Sequence, residues 1–521
     1  MSKKRNRFFI LFLLGIVGIV DAGYLMYEHF ANIIPPCSVN HFLPFLSDCG
    51  LVLRSTYAVM FGIPLAVLGL IQYGVLTLIV VLVLISKKKL WRFWLLFQTL
   101  IGTLFSLYFM YLQIFVIKSI CIYCTLSALN CFALLILTYR WLAFERKTAT
   151  VNCMSFVYQH IIKNVFFLTD PEFIHVFMLT CGELLGKLPM KKRVIGFFMQ
   201  YEDPRLRQSV CDIEFPNPVG LAAGFDYNAQ LTQILSSIGF GFQSVGTITN
   251  LPYEGNPKPM LGRLPKSKSL MVNKGFKNHG VERIVEKLRK FFFPIPLGIS
   301  IGKTNSPLLK DQKQSVDDIV EAFKKIENAG IKNAYYELNI SCPNLIHAEN
   351  ISFYPSQNLM ELLGALKNLD IKKPVFMKMP IEKSDREIMD MLHVIKDFSF
   401  VRGVIFGNLQ KNRTDPRFDS EEVKKWKVGN FSGKPCERRS NELIRLTYRN
   451  FRKRFVIIGC GGIFSAEDAY KKIKLGASLV QLITGMIYQG PALITQINLE
   501  LIDLLEKDGY KNIADAVGSE N

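Results

Sequence analysis

Four apolar stretches occupy most of the first 145 residues: Phe8 to Tyr27, Tyr57 to Ile85, Leu90 to Ile117 and Ile120 to Trp141. Each is about long enough to cross a hydrocarbon core of roughly 30 Å as a helix, so four spanning helices are expected. The first follows Lys3, Lys4, Arg5 and Arg7 as a signal peptide would. It has no convincing small-residue cleavage site and three more spans follow, which favours an uncleaved anchor.

Basic residues cluster at the N-terminus, at Lys87-Lys88-Lys89-Leu90-Trp91-Arg92 and at Arg140, Arg146 and Lys147, whereas the opposite loops hold little beyond Arg54 and Lys118. By the bias of cytoplasmic loops toward Lys and Arg, both termini face the cytoplasm. The expected location is a multi-pass protein of the cell (inner) membrane, with Cys37, Cys49, Cys121 and Cys124 at the outer face, where disulfides persist.

After about residue 145 the composition becomes a globular mix with charges throughout, and a boundary is expected between Arg146 and Met154. The chain of 521 residues is too long for one ordinary core. The expected division is a membrane domain over 1–150, an apolar helical extension over 151–200 and a second globular domain over 201–521. A net charge of +20 raises the question of nucleic acid, but no basic pattern with interleaved aromatics is present. Lipid headgroups of the bilayer are the expected partner, and most of the charges are solvated helix faces.

Cys121-Ile122-Tyr123-Cys124 begins the last apolar stretch, and Cys37 and Cys49 lie in an earlier loop. Two vicinal thiols can form a disulfide and exchange it with a second pair through thiolate attack. Four cysteines also suit zinc, but no metal is expected at this membrane edge. Asp21, inside the first span, reads either as a functional acid or as a hydrated one near the span end.

From Val219 onward, short β-rich runs alternate with amphipathic helical stretches. Strands are expected at Val219 to Ala223, Phe242 to Thr249, Pro296 to Gly302, Tyr335 to Ser341, Pro374 to Met379, Gly403 to Asn408, Phe455 to Gly461 and Leu479 to Gly485. Val316 to Ala329 shows the helical period well. Eight such units predict a (β/α)₈ barrel, an α/β TIM barrel, whose chemistry belongs at the C-terminal strand ends. There the polar and glycine residues collect, including Ala223-Gly224, Gly246-Thr247, Ser300, Asn339 to Asn344, Lys378, Asn408, Gly461-Gly462 and Thr484-Gly485. Glycines at the last two strand ends suit a phosphorylated cofactor. Asn339-Ile340-Ser341-Cys342-Pro343-Asn344 sets two amides around one thiol, which suits a flat polar ring held beside a base.

Cys37-Ser38-Val39-Asn40, Cys49-Gly50-Leu51-Val52-Leu53-Arg54-Ser55 with Tyr57, Phe61-Gly62-Ile63-Pro64 and the C-x-x-C together resemble the vitamin K epoxide reductase family over roughly residues 8 to 145. The resemblance implies that Cys121 and Cys124 react with a membrane quinone, that Cys37 and Cys49 relay electrons to them, and that Ser55 lies by the quinone. It further implies an outer-face thioredoxin-like thiol protein as partner.

The region from Met154 onward resembles dihydroorotate dehydrogenase of the quinone-using class. The similarity runs through Asp170-Pro171-Glu172 with His175, Gly220 to Asp226, Gly255-Asn256-Pro257 with Pro259, Asn339 to Asn344, Ser432-Gly433-Lys434-Pro435, Ile458-Gly459 with Gly461-Gly462, and Gly476 to Leu482. This implies FMN held by Ala223, Gly224, Thr247, Ser300, Asn339, Lys378, Gly407, Gly433, Gly462, Ile483 and Thr484. It implies dihydroorotate gripped by Asn273, Gly275, Phe276, Asn344 and Asn408, with Cys342 as the base. Cys342 stands where the quinone-using class usually has serine, and Tyr227, Ser300 and Gly407 replace a usual lysine, asparagine and threonine. Two apolar helical stretches over residues 154 to 190 would line a tunnel from lipid to flavin. Both halves would turn quinone into quinol, so a shared quinone pool explains the fusion. The competing reading is a flavin barrel that senses without turnover, or a bundle that serves only as an anchor.

Overall fold

The computed structural model describes residues 2–33, 49–60, 62–86, 89–346 and 352–521, without the side chains of 2–8, 89, 143–146 and 191. Two compact units divide at Thr148 and Ala149.

The described residues include four helices long and apolar enough to cross a membrane: Phe9–Ala31, Leu65–Ile85 and Leu90–Ile117 within the first unit, and Ile122–Leu168, which begins in it. Lipid gives apolar helices no hydrophobic reason to associate, so close packing must do it. Gly18 on the first helix shows how. A Cβ there would overlap the ring of Tyr73 on the second helix, so glycine lets the two backbones approach. Leu11, Tyr73, Leu76, Val80, Leu95 and Leu134 form the small core, while Val20, Ile71 and Leu104 point outward as lipid-facing side chains do.

The second stretch differs from the expectation that it spans from Tyr57. Thr56–Ala58 forms a short 3₁₀ turn, Val59–Met60 pairs antiparallel with Ile63–Pro64, and the helix begins only at Leu65. Pro64 explains the delay, because its ring fixes φ and it has no N–H for a preceding helical turn. The fourth helix continues beyond Trp141, running unbroken as Ile122–Val157.

The second unit contains a closed barrel of eight parallel strands in chain order: Val219–Leu221, Phe242–Ile248, Leu297–Ile301, Tyr335–Asn339, Val375–Met379, Val401–Phe406, Val456–Cys460 and Leu479–Leu482. The eighth closes on the first through Val480 opposite Val219. These strands are buried on both faces, which is why they read as apolar runs rather than alternating ones. Phe242, Tyr335, Phe376, Ile405 and Ile458 fill the N-terminal end of the barrel together with Phe215 from an antiparallel hairpin, Gln208–Val210 with Ile213–Phe215. Amphipathic helices cover the outside. Gln312–Asn328 buries Val316, Ile319, Phe323 and Ile326, and starts earlier than its apolar pattern because the Asp311 side chain caps the Gln314 N–H.

Three further elements frame the C-terminal face. A three-stranded antiparallel sheet joins Leu261–Leu264, Ser269–Val272 and Asn430–Phe431. Helices Pro171–Lys187 and Pro189–Met199 meet at a sharp bend of 107° between Lys187 and Lys192. The first is started by Asp170, which accepts from the N–H groups of Glu172 and Phe173, with Pro171 at the first helical position.

Candidate active sites in the bundle and the barrel

In the bundle, the C-x-x-C opens the fourth helix. The Cys121 N–H donates to Oε1 of Gln113 at 2.9 Å, which closes the turn after Ile117. Cys121 is fully buried and packs with Cys49 and Val52, alongside Cys124, Tyr123 and Ile117. Cys49 is disulfide-bonded, whereas Cys121 and Cys124 are free thiols. Cys37 lies outside the described residues.

Cys124, unlike Cys121, also lines an apolar cavity of about 360 Å³. Ser55 lines the same cavity, its hydroxyl donating to the Val52 carbonyl at 2.8 Å. Asp21 does so as well, with one carboxylate oxygen lacking a hydrogen-bond partner among the described residues. Tyr73 and Gln72 complete a polar edge. The Tyr73 hydroxyl lies 2.9 Å from Ser127 Oγ, and Gln98 donates to Gln72 at 2.6 Å.

In the barrel, a cavity of about 440 Å³ opens above the C-terminal strand ends, within the size range of cofactor and ligand sites. Its lining includes Ala223, Gly224, Thr247, Asn339, Lys378, Gly407, Gly433, Ile483 and Thr484, together with Cys342, Gly275, Phe276, Asn344 and Asn408. These residues come from most of the strand ends, and only barrel closure brings them together.

Three expected residues lie off this lining. Ser300 is fully buried beneath it, with its hydroxyl spent on Thr247 Oγ1 at 3.0 Å. Gly462 is wedged against Glu437 at the start of a helix. The Asn273 side chain is turned away, accepting from Asn256 at 3.0 Å and donating to the carbonyls of Pro257 and Pro259. Successive residues leave a strand on opposite sides, so as Ser269–Val272 ends, Lys274 faces the cavity instead.

The amides are held by backbone and by one another. Asn339 donates to Thr247 Oγ1 at 2.9 Å, Asn408 to the Ser341 carbonyl at 2.7 Å, and Asn344 to the Val272 carbonyl at 2.9 Å. Asn430 donates to Oδ1 of Asn344 at 2.7 Å, and Asn256 donates to the Asn344 carbonyl at 2.9 Å. Sequence reasoning missed Asn430 and Asn256 as supports. Their signal was position: Asn256 sits inside Gly255-Asn256-Pro257, and Asn430 two residues before Ser432. It also missed Arg263 and His175 as lining residues. Arg263 donates to the carbonyl of Thr169 at 2.6 Å and stacks on Phe167 at 4.7 Å.

Burial pushes the Cys342 thiol up to about 11, opposed in part by a backbone hydrogen bond at Asn344 and by the charges of Lys378 and Lys411. Lys378 is 6 % exposed, and its ammonium has no hydrogen-bond partner among the described residues. A buried ammonium left this way is costly unless an anionic or polar ligand completes it. Gly407, at φ +141°, brings the sixth strand end against the seventh, where a Cβ would lie 2.8 Å from that of Cys460. An orphan ammonium, amide donors and a glycine-lined wall fit a flavin mononucleotide, whose ring is polar and whose phosphate is anionic.

Similarity to known proteins agrees with this geometry. The dihydroorotate dehydrogenase family model matches residues 205–505, and the vitamin K epoxide reductase family model matches residues 9–139. A dihydroorotate dehydrogenase (quinone) of Christiangramia forsetii is 36% identical over 351 residues, covering 67% of this chain and 99% of the relative. One from Nautilia profundicola is 34% identical over 379 residues, covering 70% and 98%. The crystal structure of the Eimeria tenella enzyme in complex with ferulenol superposes with a TM-score of 0.60 at 28% identity, covering 68% of this chain and 96% of that one. The chain belongs to the dihydroorotate dehydrogenase family, with a domain of the vitamin K epoxide reductase family fused ahead of the barrel.

Proposed function

We propose that the barrel oxidises dihydroorotate to orotate with FMN and a membrane quinone, and that the bundle is a separate thiol oxidase that also reduces quinone. The observation that carries the first half is Cys342, a half-buried thiol that lines the same cavity as Asn339, Asn344 and the Lys378 ammonium, which has no hydrogen-bond partner among the described residues. When bound, FMN would supply a hydride acceptor for C6 of dihydroorotate and an electron donor to quinone. Cys342 takes the proton from C5 as its thiolate. Asn344 and Asn408, held by Asn430 and the Ser341 and Val272 carbonyls, orient the ring. An unmatched ring edge in this dry site would cost about 1–3 kcal/mol. Lys378 supplies positive charge to the flavin. The residues proposed for FMN are Ala223, Gly224, Thr247, Asn339, Lys378, Gly407, Gly433, Ile483 and Thr484, with Ser300 acting through Thr247.

Residues 151–200 are proposed as the apolar extension that brings quinone to the barrel. Pro171, Ile174, Met178 and Leu185 on one face of helix Pro171–Lys187 line the cavity, and Phe173 and Phe177 face outward.

In the bundle, the packing of Cys121 on Cys49 and the opening of Cys124 to the cavity divide two roles. Cys121 exchanges with the loop disulfide, and Cys124 meets the quinone beside Ser55. An outer-face thioredoxin-like protein supplies the thiols through Cys37 and Cys49. The proposed location is the inner membrane, with the barrel cytoplasmic and the bundle cysteines outside.

Anaerobic mixing with dihydroorotate tests the barrel. The flavin absorbance bleaches in the wild type and bleaches about 10³-fold more slowly in Cys342→Ala; a wild type that stays yellow refutes the activity. An impermeant maleimide applied to sealed right-side-out vesicles tests the topology. Labelling of reduced Cys124 from outside supports it, and protection from outside with labelling from the cytoplasmic side overturns it.

A further inference from the structure

Lys274 stands where the apolar part of the barrel cavity, lined by helix Pro171–Lys187, meets the polar floor. It is 4 % exposed, and its Nζ lies 3.0 Å from Nδ1 of His175 on that helix. The other ring nitrogen, Nε2, lies 2.9 Å from the Phe225 carbonyl. A carbonyl only accepts, so Nε2 carries the proton and Nδ1 is left as the acceptor. The ammonium therefore donates to a neutral imidazole whose orientation is fixed from behind.

The Tyr227 ring lies 5.3 Å from the same ammonium. The carboxylate whose charge acts on Lys274, Glu172, lies 3.6 Å from Lys277 and is shared with it. Among the described residues, His175 is the one hydrogen-bond acceptor of Lys274. Up to two of its three N–H bonds are thus available to a ligand in the cavity.

We propose that Lys274 is the proton donor to the quinone in the barrel, with His175 as its positioning residue. The inference rests on the dihydroorotate and quinone reading above. Quinone becomes quinol by taking two electrons and two protons. The reduced cofactor supplies both electrons and one proton as a hydride equivalent. The second proton passes from Nζ of Lys274 to a quinone oxygen, the N–H bond breaking as the O–H bond forms, and Lys274 regains a proton from water. It balances the proton that Cys342 removes from C5.

Burial brings Lys274 down to about 8, against the raising effect of Glu172, which places it near the optimum for proton transfer at neutral pH. The groups that face it are His175 and Glu172 from the helix, Tyr227 from the loop after the first strand, and Lys277 from its own segment. Burial pushes Tyr227 above the ordinary phenol range, so its titration does not supply a break near pH 8.

The test uses the full FMN-loaded chain in detergent. The flavin is reduced anaerobically and mixed with ubiquinone-1 between pH 6 and 10. Wild-type reoxidation is level below about pH 8 and falls about tenfold per unit above it, as the donor form is lost. Lys274→Met slows reoxidation about 100-fold at pH 7 and flattens the profile. Lys274→Arg keeps the charge but cannot give up a proton in this range, so it is also slow and flat. Calorimetric titration of oxidised holoprotein with ubiquinone-1 weakens several-fold in Lys274→Met and is retained in Lys274→Arg.

A pH break near 8 that survives both substitutions overturns the proposal. So does a Lys274→Met variant slowed in flavin reduction by dihydroorotate while its reoxidation is unchanged, because the lysine would then serve the substrate carboxylate. Reduction by dithionite separates this inference from the activity itself. If dihydroorotate fails to bleach the flavin but the dithionite-reduced protein shows the Lys274-dependent break, the substrate reading falls and the lysine assignment stands.

Discussion

Both units place a thiol beside an apolar cavity, but the neighbours differ. In the bundle, Cys124 shares a helix end with Cys121, which packs on the disulfide-bonded Cys49. In the barrel, the groups acting on Cys342 are a backbone N–H and the ammonium groups of Lys378 and Lys411. A sulfur next to sulfur can trade electrons through a disulfide. A sulfur next to amides and ammonium groups is equipped for proton transfer. On the proposed reading, the same side chain would serve redox chemistry in one place and acid–base chemistry in the other because of what surrounds it.

The strongest way to break this comparison is to remove one thiol and follow both activities. Cys124→Ser abolishes thiol-driven quinone reduction and leaves bleaching of the flavin by dihydroorotate within about twofold, since the two thiols belong to separate compact units with no shared partner among the described residues. Loss of both activities would show that the thiols are not independent. Cys342→Ala has the reciprocal effect, with flavin reduction falling about 10³-fold, the usual worth of a positioned base, and thiol oxidation preserved.

The pH profile sharpens the contrast. As the proposed base, Cys342 would act only when deprotonated, and burial holds its thiol up to about 11. The rate of flavin reduction in rapid mixing therefore rises about tenfold per unit from pH 7 to 10, because the thiolate fraction does. A level profile over that range would exclude Cys342 as the base.

Smaller effects test the frameworks. Gly407→Ala forces a side chain into a positive φ and against Cys460, and we expect a loss of about 2–4 kcal/mol in denaturant unfolding of the barrel. Tyr73→Phe removes the hydroxyl that bonds to Ser127 and Cys131. Its expected cost in the bundle is about 0.6 kcal/mol, the average for such bonds between membrane helices, measured by steric-trap unfolding in detergent.

Much of the architecture was legible because burial leaves a pattern. The apolar stretches and the eight strand runs appear in the sequence as they do in the fold, since a helix in lipid and a barrel strand buried on both faces must be apolar along their length. Boundaries were less legible. The second membrane helix waits until Leu65 because Pro64 and the small hairpin precede it, and a hydropathy reading merges the two.

At the sites, the sequence alone determined which chemical groups are present: the C-x-x-C, the Asn339 to Asn344 segment and Lys378. Their residue types at those spacings already restrict the chemistry. Only the tertiary structure decided which of them share a cavity. It turned Asn273 outward and Lys274 inward at the end of one strand, and placed Asn430 against Asn344 across 86 positions. It also set Cys121 against Cys49 while opening Cys124 to the bundle cavity. Such choices depend on the direction in which each side chain leaves its backbone once remote segments meet, and that direction is fixed by packing rather than by local sequence.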